Sequence, residues 1–190
     1  MREMRRKDYT MEKTRLERIN EFIRIMGEAL GPNTAITLAG ELERMGFFDA
    51  PASSKYHSAY PGGLYDHSKA MMDALLNLTY DLNLGWSRPE SPCIVGMLHD
   101  LCKCDQYKQD EDGSFSWQPD QVLCGHGDKS VILAQQLLPL TEEEILCIRW
   151  HMGAYCDKSD WGYLGAAIEK YPNVLYTHTA DMIASRIRGV

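Results

Sequence analysis

Apolar residues recur at helical spacing from the first part of the chain onward. In the first such segment five of them share one face: Leu16, Ile19, Phe22, Ile23 and Met26. Glycine and proline disfavour continuation of a helix, and Gly31-Pro32 follows this segment directly. The pattern predicts an amphipathic helix, then a short helix over 35–45 and a loop over 49–63 that is rich in serine, proline, glycine and tyrosine.

The middle of the chain predicts two further helices. Six residues define the inner face of the third helix: Leu64, His67, Met71, Ala74, Leu75 and Leu78. Ser91-Pro92 is typical of a helix start, and the segment that follows, IVGMLHDL, is apolar nearly all round. A helix that is apolar on every side is expected in the core, so we place this fourth helix at the centre of the fold.

The helical period is interrupted between residues 104 and 120. The segment KQDEDGSFSW contains an Asp-Gly turn, with Tyr107 before it and Phe115 and Trp117 after it. Aromatic residues on either side of such a turn are typical of paired strands. We therefore predict a small surface β-hairpin near residues 104–120.

Helical signals return after the hairpin. A helix is expected to begin near Asp128, and Thr141 with Glu144 has the spacing of a capping box before another apolar run. Two more helices are predicted, over 161–170 and after Pro172. The fold class predicted from these patterns is all-α, a single helical bundle with one small β-hairpin.

The length and composition indicate one globular domain. A chain of 190 residues with 44% hydrophobic and 25% charged residues is close to the average for such domains. Residues 1–12 are charged and without a periodic apolar pattern, so we predict an N-terminal arm over 1–12 and a single domain over 13–190. No internal repeat is visible.

The excess of acidic over basic residues argues against partners that carry many negative charges. Twenty basic and 27 acidic residues give a net charge of −7, which makes nucleic acid an unlikely partner and argues against an anionic membrane surface. A small phosphate-containing substrate is compatible, since a metal ion can supply positive charge locally. With no secretory signal and no long apolar stretch we expect a cytoplasmic protein, in which the six cysteines are reduced thiols.

Histidines and aspartates on successive predicted helices carry the chemistry. The candidate ligands are His67, His99, Asp100, His126, His151 and Asp181. Each interval between successive positions fits about one helix with its connection, so helices of a bundle can present them to one centre. Imidazole nitrogens with carboxylate oxygens suit iron, manganese, nickel or zinc. Six ligands exceed what one tetrahedral ion takes, which favours two divalent ions bridged by a carboxylate.

This ordered set resembles the HD-domain metal-dependent phosphohydrolase superfamily, in the branch with two extra histidines between the His-Asp pair and the last aspartate. GGLYDH, residues 62–67, resembles the GGLLxH motif at the first ligand helix, and HDLCK, residues 99–103, resembles HDxxK. Ala180-Asp181 resembles the closing aspartate, and the loop YHSAYPGG resembles the HD domain of bacterial 3′→5′ exoribonucleases. The resemblance covers roughly residues 50–188. The GYP signature of cyclic-dinucleotide phosphodiesterases is replaced by HMGAYCDKSD.

The resemblance implies a role for each ligand. The first metal would be held by His67, His99, Asp100 and Asp181, and Asp100 would bridge to a second metal completed by His126 and His151. Asp100 and Lys103 are the implied catalytic residues. Lys103 is expected to share the helix face of the His-Asp pair and to neutralise a phosphoryl oxygen, while the two ions acidify the attacking water.

Several other residues near these motifs are candidates for substrate binding or for alternative roles at the metal site. His57 and Lys55, in the loop before the glycine pair, and Arg149, beside His151, are candidate substrate-binding residues. Each is also explained as an ordinary surface or helical residue. His126 and His151 could instead be hydrogen-bond donors beside a mononuclear site, and His178 competes with Asp181 as the last ligand. The cysteines, including the Cys102-Cys104 pair, lack zinc-finger spacing and fit small buried hydrophobic residues better.

The sequence therefore predicts a phosphohydrolase that cleaves a phosphomonoester or phosphodiester of a nucleotide-like substrate. Two other functions use the same ligand set, namely a di-iron oxygenase and a non-catalytic metal-binding regulatory domain. A nuclease acting on short RNA or DNA ends is a further alternative. Substrate identity, native metal, the number of ions and the oligomeric state stay open at this point.

Overall fold

The computed structural model describes residues 13–123 and 125–190, so the predicted N-terminal arm lies outside the described residues. Within these ranges most residues are helical, as predicted. The α-helices are α1 (Arg15–Leu30), α2 (Pro32–Arg44), α3 (Gly63–Asp81), α4 (Ser91–Leu98), α5 (His126–Leu137), α6 (Glu142–Arg149), α7 (Trp161–Lys170) and α8 (Asn173–Met182). Short 3₁₀ turns cover Leu101–Cys104, Gly153–Tyr155 and Lys158–Asp160, and a π-helix covers Ile183–Arg188.

The predicted hairpin is present and is the only sheet in the described chain. Strands β1 (Tyr107–Gln109) and β2 (Phe115–Trp117) pair in antiparallel fashion, with Tyr107 opposite Trp117. The two rings meet edge to face with their centroids 6.2 Å apart. Such cross-strand aromatic pairs stabilise short hairpins, so the aromatic residues that predicted the turn also hold it together.

The helix that carries the His-Asp pair ends earlier than its apolar pattern implies. Helix α4 stops at Leu98 with His99 at its C-terminal cap, and the chain continues from Asp100 into the 3₁₀ turn Leu101–Cys104. The sequence suggested that Lys103 shares a helix face with His99. This expectation is wrong, because the α-helix ends before Lys103. In a 3₁₀ turn residues three apart lie above one another, so Lys103 still reaches Asp100.

The capping box predicted at the start of α6 is confirmed. Thr141 accepts a hydrogen bond from the Glu144 amide, and the Glu144 carboxylate accepts one from the Thr141 amide. The same carboxylate also accepts hydrogen bonds from Arg88 and Ser91, each 2.8 Å long. Ser91 is the first residue of α4, so Glu144 joins the start of α6 to the helix that ends at His99.

Helices α3 and α4 touch at the level of their backbones. A Cβ atom added to Gly96 would lie 2.5 Å from the Cα atom of Met72, well inside normal contact. His67 lies on α3 and His99 is the C-terminal cap of α4, and both candidate ligands are fully buried. The absence of a side chain at position 96 thus allows the two imidazoles to approach one another.

Adding a methyl group at this contact is expected to destabilise the fold. We expect Gly96→Ala to lower the free energy of unfolding by about 3 kcal/mol, because neither backbone can shift without disturbing the core. Gly165→Ala is the matched control, since nothing lies within 4 Å of its added Cβ and helical alanine is favoured over glycine by about 0.5–1 kcal/mol. Urea denaturation measures both, and equal stability of Gly96→Ala and wild type would contradict the packing described.

The end of the chain is helical to Arg188. Helix α8 contains Asp181, and two residues later the helix changes to π geometry, which continues from Ile183 to Arg188. Both segments pack against α3, the helix of His67. None of the helices described is both long and apolar enough to cross a membrane.

Candidate metal centre

All six residues predicted as ligands meet at one place in the fold. His67 comes from α3, His99 and Asp100 follow α4, His126 begins α5, His151 follows α6, and Asp181 lies on α8. The side chains of His67, His99 and His151 are fully buried and Asp100 is 1% exposed. His126 and Asp181 are only partly covered, and both line the same cavity. The cluster therefore has a buried interior and one accessible side.

One oxygen of the Asp100 carboxylate faces the first pair of histidines. Its Oδ2 atom lies 3.3 Å from His99 Nε2 and 3.4 Å from His67 Nε2. Lys103 Nζ lies 2.6 Å from the same oxygen. On the far side of His67, its Nε2 atom is 3.2 Å from Asp181 Oδ1. Two imidazoles and two carboxylates thus surround one space beside Oδ2.

The other oxygen faces the second pair of histidines. Oδ1 of Asp100 lies 2.8 Å from His126 Nε2 and 3.4 Å from His151 Nε2. Each carboxylate oxygen is therefore close to two imidazole nitrogens from different helices. A carboxylate shared in this way by two sets of nitrogen donors is the arrangement that a bridging ligand requires.

The rings are oriented by contacts at their opposite nitrogens. The Nδ1 atoms of His67, His99 and His151 donate hydrogen bonds to the backbone carbonyls of Val190, Gly96 and Ile148, at 2.9, 2.9 and 2.7 Å. A neutral imidazole that donates from Nδ1 has a lone pair at Nε2. This is the tautomer and orientation typical of metal-binding histidines, whose second nitrogen is held by a carbonyl or carboxylate.

The donor atoms lack partners that a cation would supply. His67 Nε2 and His99 Nε2 lie 3.3 Å apart, so in the neutral forms two lone pairs face one another. Asp100 Oδ1 and His151 Nε2 are buried, and neither makes a well-oriented hydrogen bond with any described residue. Unpaired buried polar atoms are costly. The residues present therefore fit a bound metal ion.

In the metal-free protein, protonation of a histidine can partly supply the positive charge that a metal ion would bring. Although burial opposes it, hydrogen bonds to Asp100 and Asp181 raise the pKa of His67 to about 9. Burial likewise opposes ionisation of Asp100, but the Lys103 and His99 charges hold the pKa of that carboxyl well below its usual range. Burial lowers the pKa of His99. Two carboxylates thus remain charged among imidazoles, as metal binding requires.

A cavity of about 420 Å³ opens onto this cluster. Asp100, Asp181 and His126 form part of its wall, together with Lys103 and His57, two of the residues predicted to act on substrate. The His57 ring lies 5.0 Å from the His67 ring, and burial lowers the pKa of His57 to about 4. His57 is therefore a neutral polar group on the cavity wall at ordinary pH.

Of the remaining candidates, Lys55 and Arg149 lie outside this cavity, whereas His178 lines it. Lys55 is exposed and does not line the cavity. Arg149 pairs with Asp128 and stacks over the Trp150 ring at 4.2 Å, and it lines a smaller neighbouring cavity. His178 donates from Nδ1 to the His151 carbonyl at 2.8 Å, so it supports a ligand segment while Asp181 reaches the cluster.

One contact of the centre was missed at the sequence level. The Sγ atom of Cys102 lies 3.1 Å from Nδ1 of His126, where the other three ligand rings have a carbonyl oxygen. Burial, followed by the charge of Asp100, raises the pKa of this thiol to about 12. Its position two residues after Asp100 was visible, but only the 3₁₀ turn directs it toward α5.

Geometry alone therefore defines this region as a group of side chains that can hold metal. Three overlapping sets have ligand atoms within 4.8 Å of one another: His67 with His99 and Asp181, His99 with Asp100 and His151, and Asp100 with Cys102 and His126. Comparison with protein-family models, with curated proteins and with solved structures found no match for this chain. The centre is thus described from its own residues.

Proposed function

We propose that this chain is a metal-dependent phosphohydrolase of the HD type, with two divalent transition-metal ions bridged by Asp100. The observation that carries the proposal is the division of this carboxylate, with His67 and His99 beside Oδ2 and His126 and His151 beside Oδ1. Asp181 would complete the first set. The order of these residues along the chain supports the same family, as the motifs at 62–67 and 99–103 do.

Two ions held in this way would supply an acidified water molecule as nucleophile and positive charge for the phosphoryl oxygens. The protein residues have separate tasks. Asp100 and Asp181 retain negative charge next to the imidazoles and so would hold the ions in place. The three carbonyl contacts at Nδ1 fix the directions of the ligand rings, which keeps the reacting groups in one geometry.

Lys103 contacts Asp100 and is also placed to contact the phosphate group of a substrate. Its ammonium group contacts Asp100 at 2.6 Å and also lines the cavity. Burial opposes its charge, but Asp100 raises the pKa of Lys103 above its usual value, which favours the cationic form of the side chain. It would neutralise a phosphoryl oxygen as negative charge develops there.

The cavity supports a small substrate. Its volume of about 420 Å³ lies within the range for small-molecule sites. The net charge of −7 disfavours a long polyanion such as nucleic acid, whereas a single phosphate group would be attracted by the local positive charge of the ions. We therefore propose a phosphomonoester or phosphodiester of nucleotide size.

The activity test compares hydrolysis with oxygen consumption on the same preparation. The full chain is reconstituted anaerobically with Mn²⁺, Fe²⁺, Ni²⁺ or Zn²⁺ and assayed with p-nitrophenyl phosphate, bis-p-nitrophenyl phosphate and nucleoside mono-, di- and cyclic phosphates. We expect metal-dependent phosphate release that a chelator abolishes, with Gly165→Ala as an active control. Oxygen uptake with iron and no hydrolysis would replace the proposal by the oxygenase, and a metal-dependent melting temperature without turnover would replace it by the regulatory domain.

A further inference from the structure

The π-helix at the end of the chain faces the proposed catalytic cavity. Its hydrogen bonds join residues five apart, and Arg186 is five residues after the ligand Asp181. The widened turn keeps both residues on the same side, where Asp181, Met182, Ser185 and Arg186 line the cavity. π-helices are rare in proteins and occur often at functional sites. The geometry therefore adds a cation to the wall next to a metal ligand.

Arg186 is the one arginine of the described chain without an ionic or hydrogen-bonded partner. Each of the other seven has a carboxylate or carbonyl partner: Arg15 with Glu43, Arg18 with Asp66, Arg24 with Glu28, Arg44 with Glu41, Arg88 with Glu144, Arg149 with Asp128 and Arg188 with the Ala70 carbonyl. In a chain with 27 acidic and 20 basic residues an unpaired arginine on a cavity wall stands out. Its guanidinium group is available to a ligand.

We infer that Arg186 binds a second anionic group of the substrate, so that the substrate carries one such group at the metals and another at this exposed side chain of the cavity wall. The inference rests on the proposed function for the first of these two contacts. A guanidinium binds phosphate or carboxylate through two parallel hydrogen bonds, which gives direction as well as charge. The substrate class is therefore a small molecule with two phosphates, or with a phosphate and a carboxylate.

The same cavity also offers uncharged surface to a ligand. Met152, Tyr155 and Met182 contribute apolar and aromatic surface to the same cavity. Thioether and aromatic side chains pack against varied apolar groups without fixing hydrogen bonds. This surface can pack against the uncharged part of a ligand whose anionic groups are bound elsewhere on the wall.

Binding of non-hydrolysable phosphonates to the Mn²⁺-loaded full chain tests this inference. Methylphosphonate carries one anionic group, whereas methylenediphosphonate and 3-phosphonopropionate carry two. By calorimetry we expect at least one of the doubly charged probes to bind tenfold or more tightly than methylphosphonate. Arg186→Gln should remove this advantage and leave methylphosphonate binding unchanged, and Arg186→Lys should restore part of it. Arg188→Gln is the matched control, because this neighbouring arginine contacts the Ala70 carbonyl and lies outside the cavity.

The outcomes separate this inference from the proposal on which it rests. Equal affinities for all three probes in wild type, or an unchanged preference in Arg186→Gln, would overturn the role of Arg186 and leave the metal centre intact. A metal-loaded wild type that binds no phosphonate would overturn both. Loss of methylphosphonate binding in Arg186→Gln would show that this arginine serves the first anionic group, which also contradicts the inference.

Discussion

Replacement of Asp100 with asparagine is expected to remove both metal ions and all phosphate-ester hydrolysis. The amide keeps the shape of the side chain but loses the negative charge that faces four imidazoles and Lys103. Without the bridge neither ion is held, so we expect hydrolysis to fall by about 10³-fold or more, equivalent to about 4 kcal/mol of transition-state stabilisation. Metal content by elemental analysis and the rate with p-nitrophenyl phosphate measure the two effects.

Asp128→Asn provides the control for charge loss. Asp128 is in the first turn of α5, pairs with Arg149 and lies outside the proposed catalytic cavity. Its variant should retain two ions and wild-type rates. An Asp100→Asn protein that keeps two ions and full activity would refute the centre, and far-ultraviolet circular dichroism distinguishes loss of metal from loss of the fold.

His126→Ala is expected to reduce the metal content from about two ions per chain to about one. His126 lies 2.8 Å from Oδ1 of Asp100 and is the most exposed of the four ligand histidines, so its loss should open the second site and leave the first. Activity should fall at least tenfold in parallel, because the proposed hydrolysis uses both ions. Elemental analysis of protein purified without chelators measures the change.

The ion that is expected to remain in His126→Ala belongs to the first site, which a second variant can test. His67→Ala, at the opposite oxygen of Asp100, should instead release the ion held with Asp181. One ion in wild type that is unaffected by His126→Ala would mean a mononuclear centre with His126 as a hydrogen-bond donor. No ion in wild type, even after reconstitution, would contradict the whole cluster.

Most of the helices, and the helices on which the candidate ligands lie, could be predicted from the apolar periodicity of the sequence. Helix α7 begins and ends where the sequence placed it, and the capping box at Thr141 is present, because both depend on local spacing and local hydrogen bonds. The six candidate ligands were selected from the sequence because buried polar groups on successive helices need a common partner, and the structure brings them together. These features are encoded within a few residues of each site.

Features that depend on tertiary packing could not be predicted from the sequence. Apolar residues resume at Leu101 directly after the His99-Asp100 pair, so the pattern does not mark the end of α4 at Leu98. It also does not predict the 3₁₀ turn that directs Cys102 toward His126. The π-helix after Asp181 likewise has no simple periodic signal. Arg149 is only two residues from His151 in sequence, yet helical geometry points it toward Asp128 instead of the cavity.

The wide sequence separation of the ligands has a consequence for the lifetime of the protein. They run from residue 67 to residue 181, so each ion would act as a cross-link between distant segments of the chain. A ligand that binds only the native state adds about 4 kcal/mol of stability when its concentration is a thousandfold above its dissociation constant. Chains made under metal starvation would open more often and be degraded sooner, so metal supply would set the abundance of the protein as well as its activity.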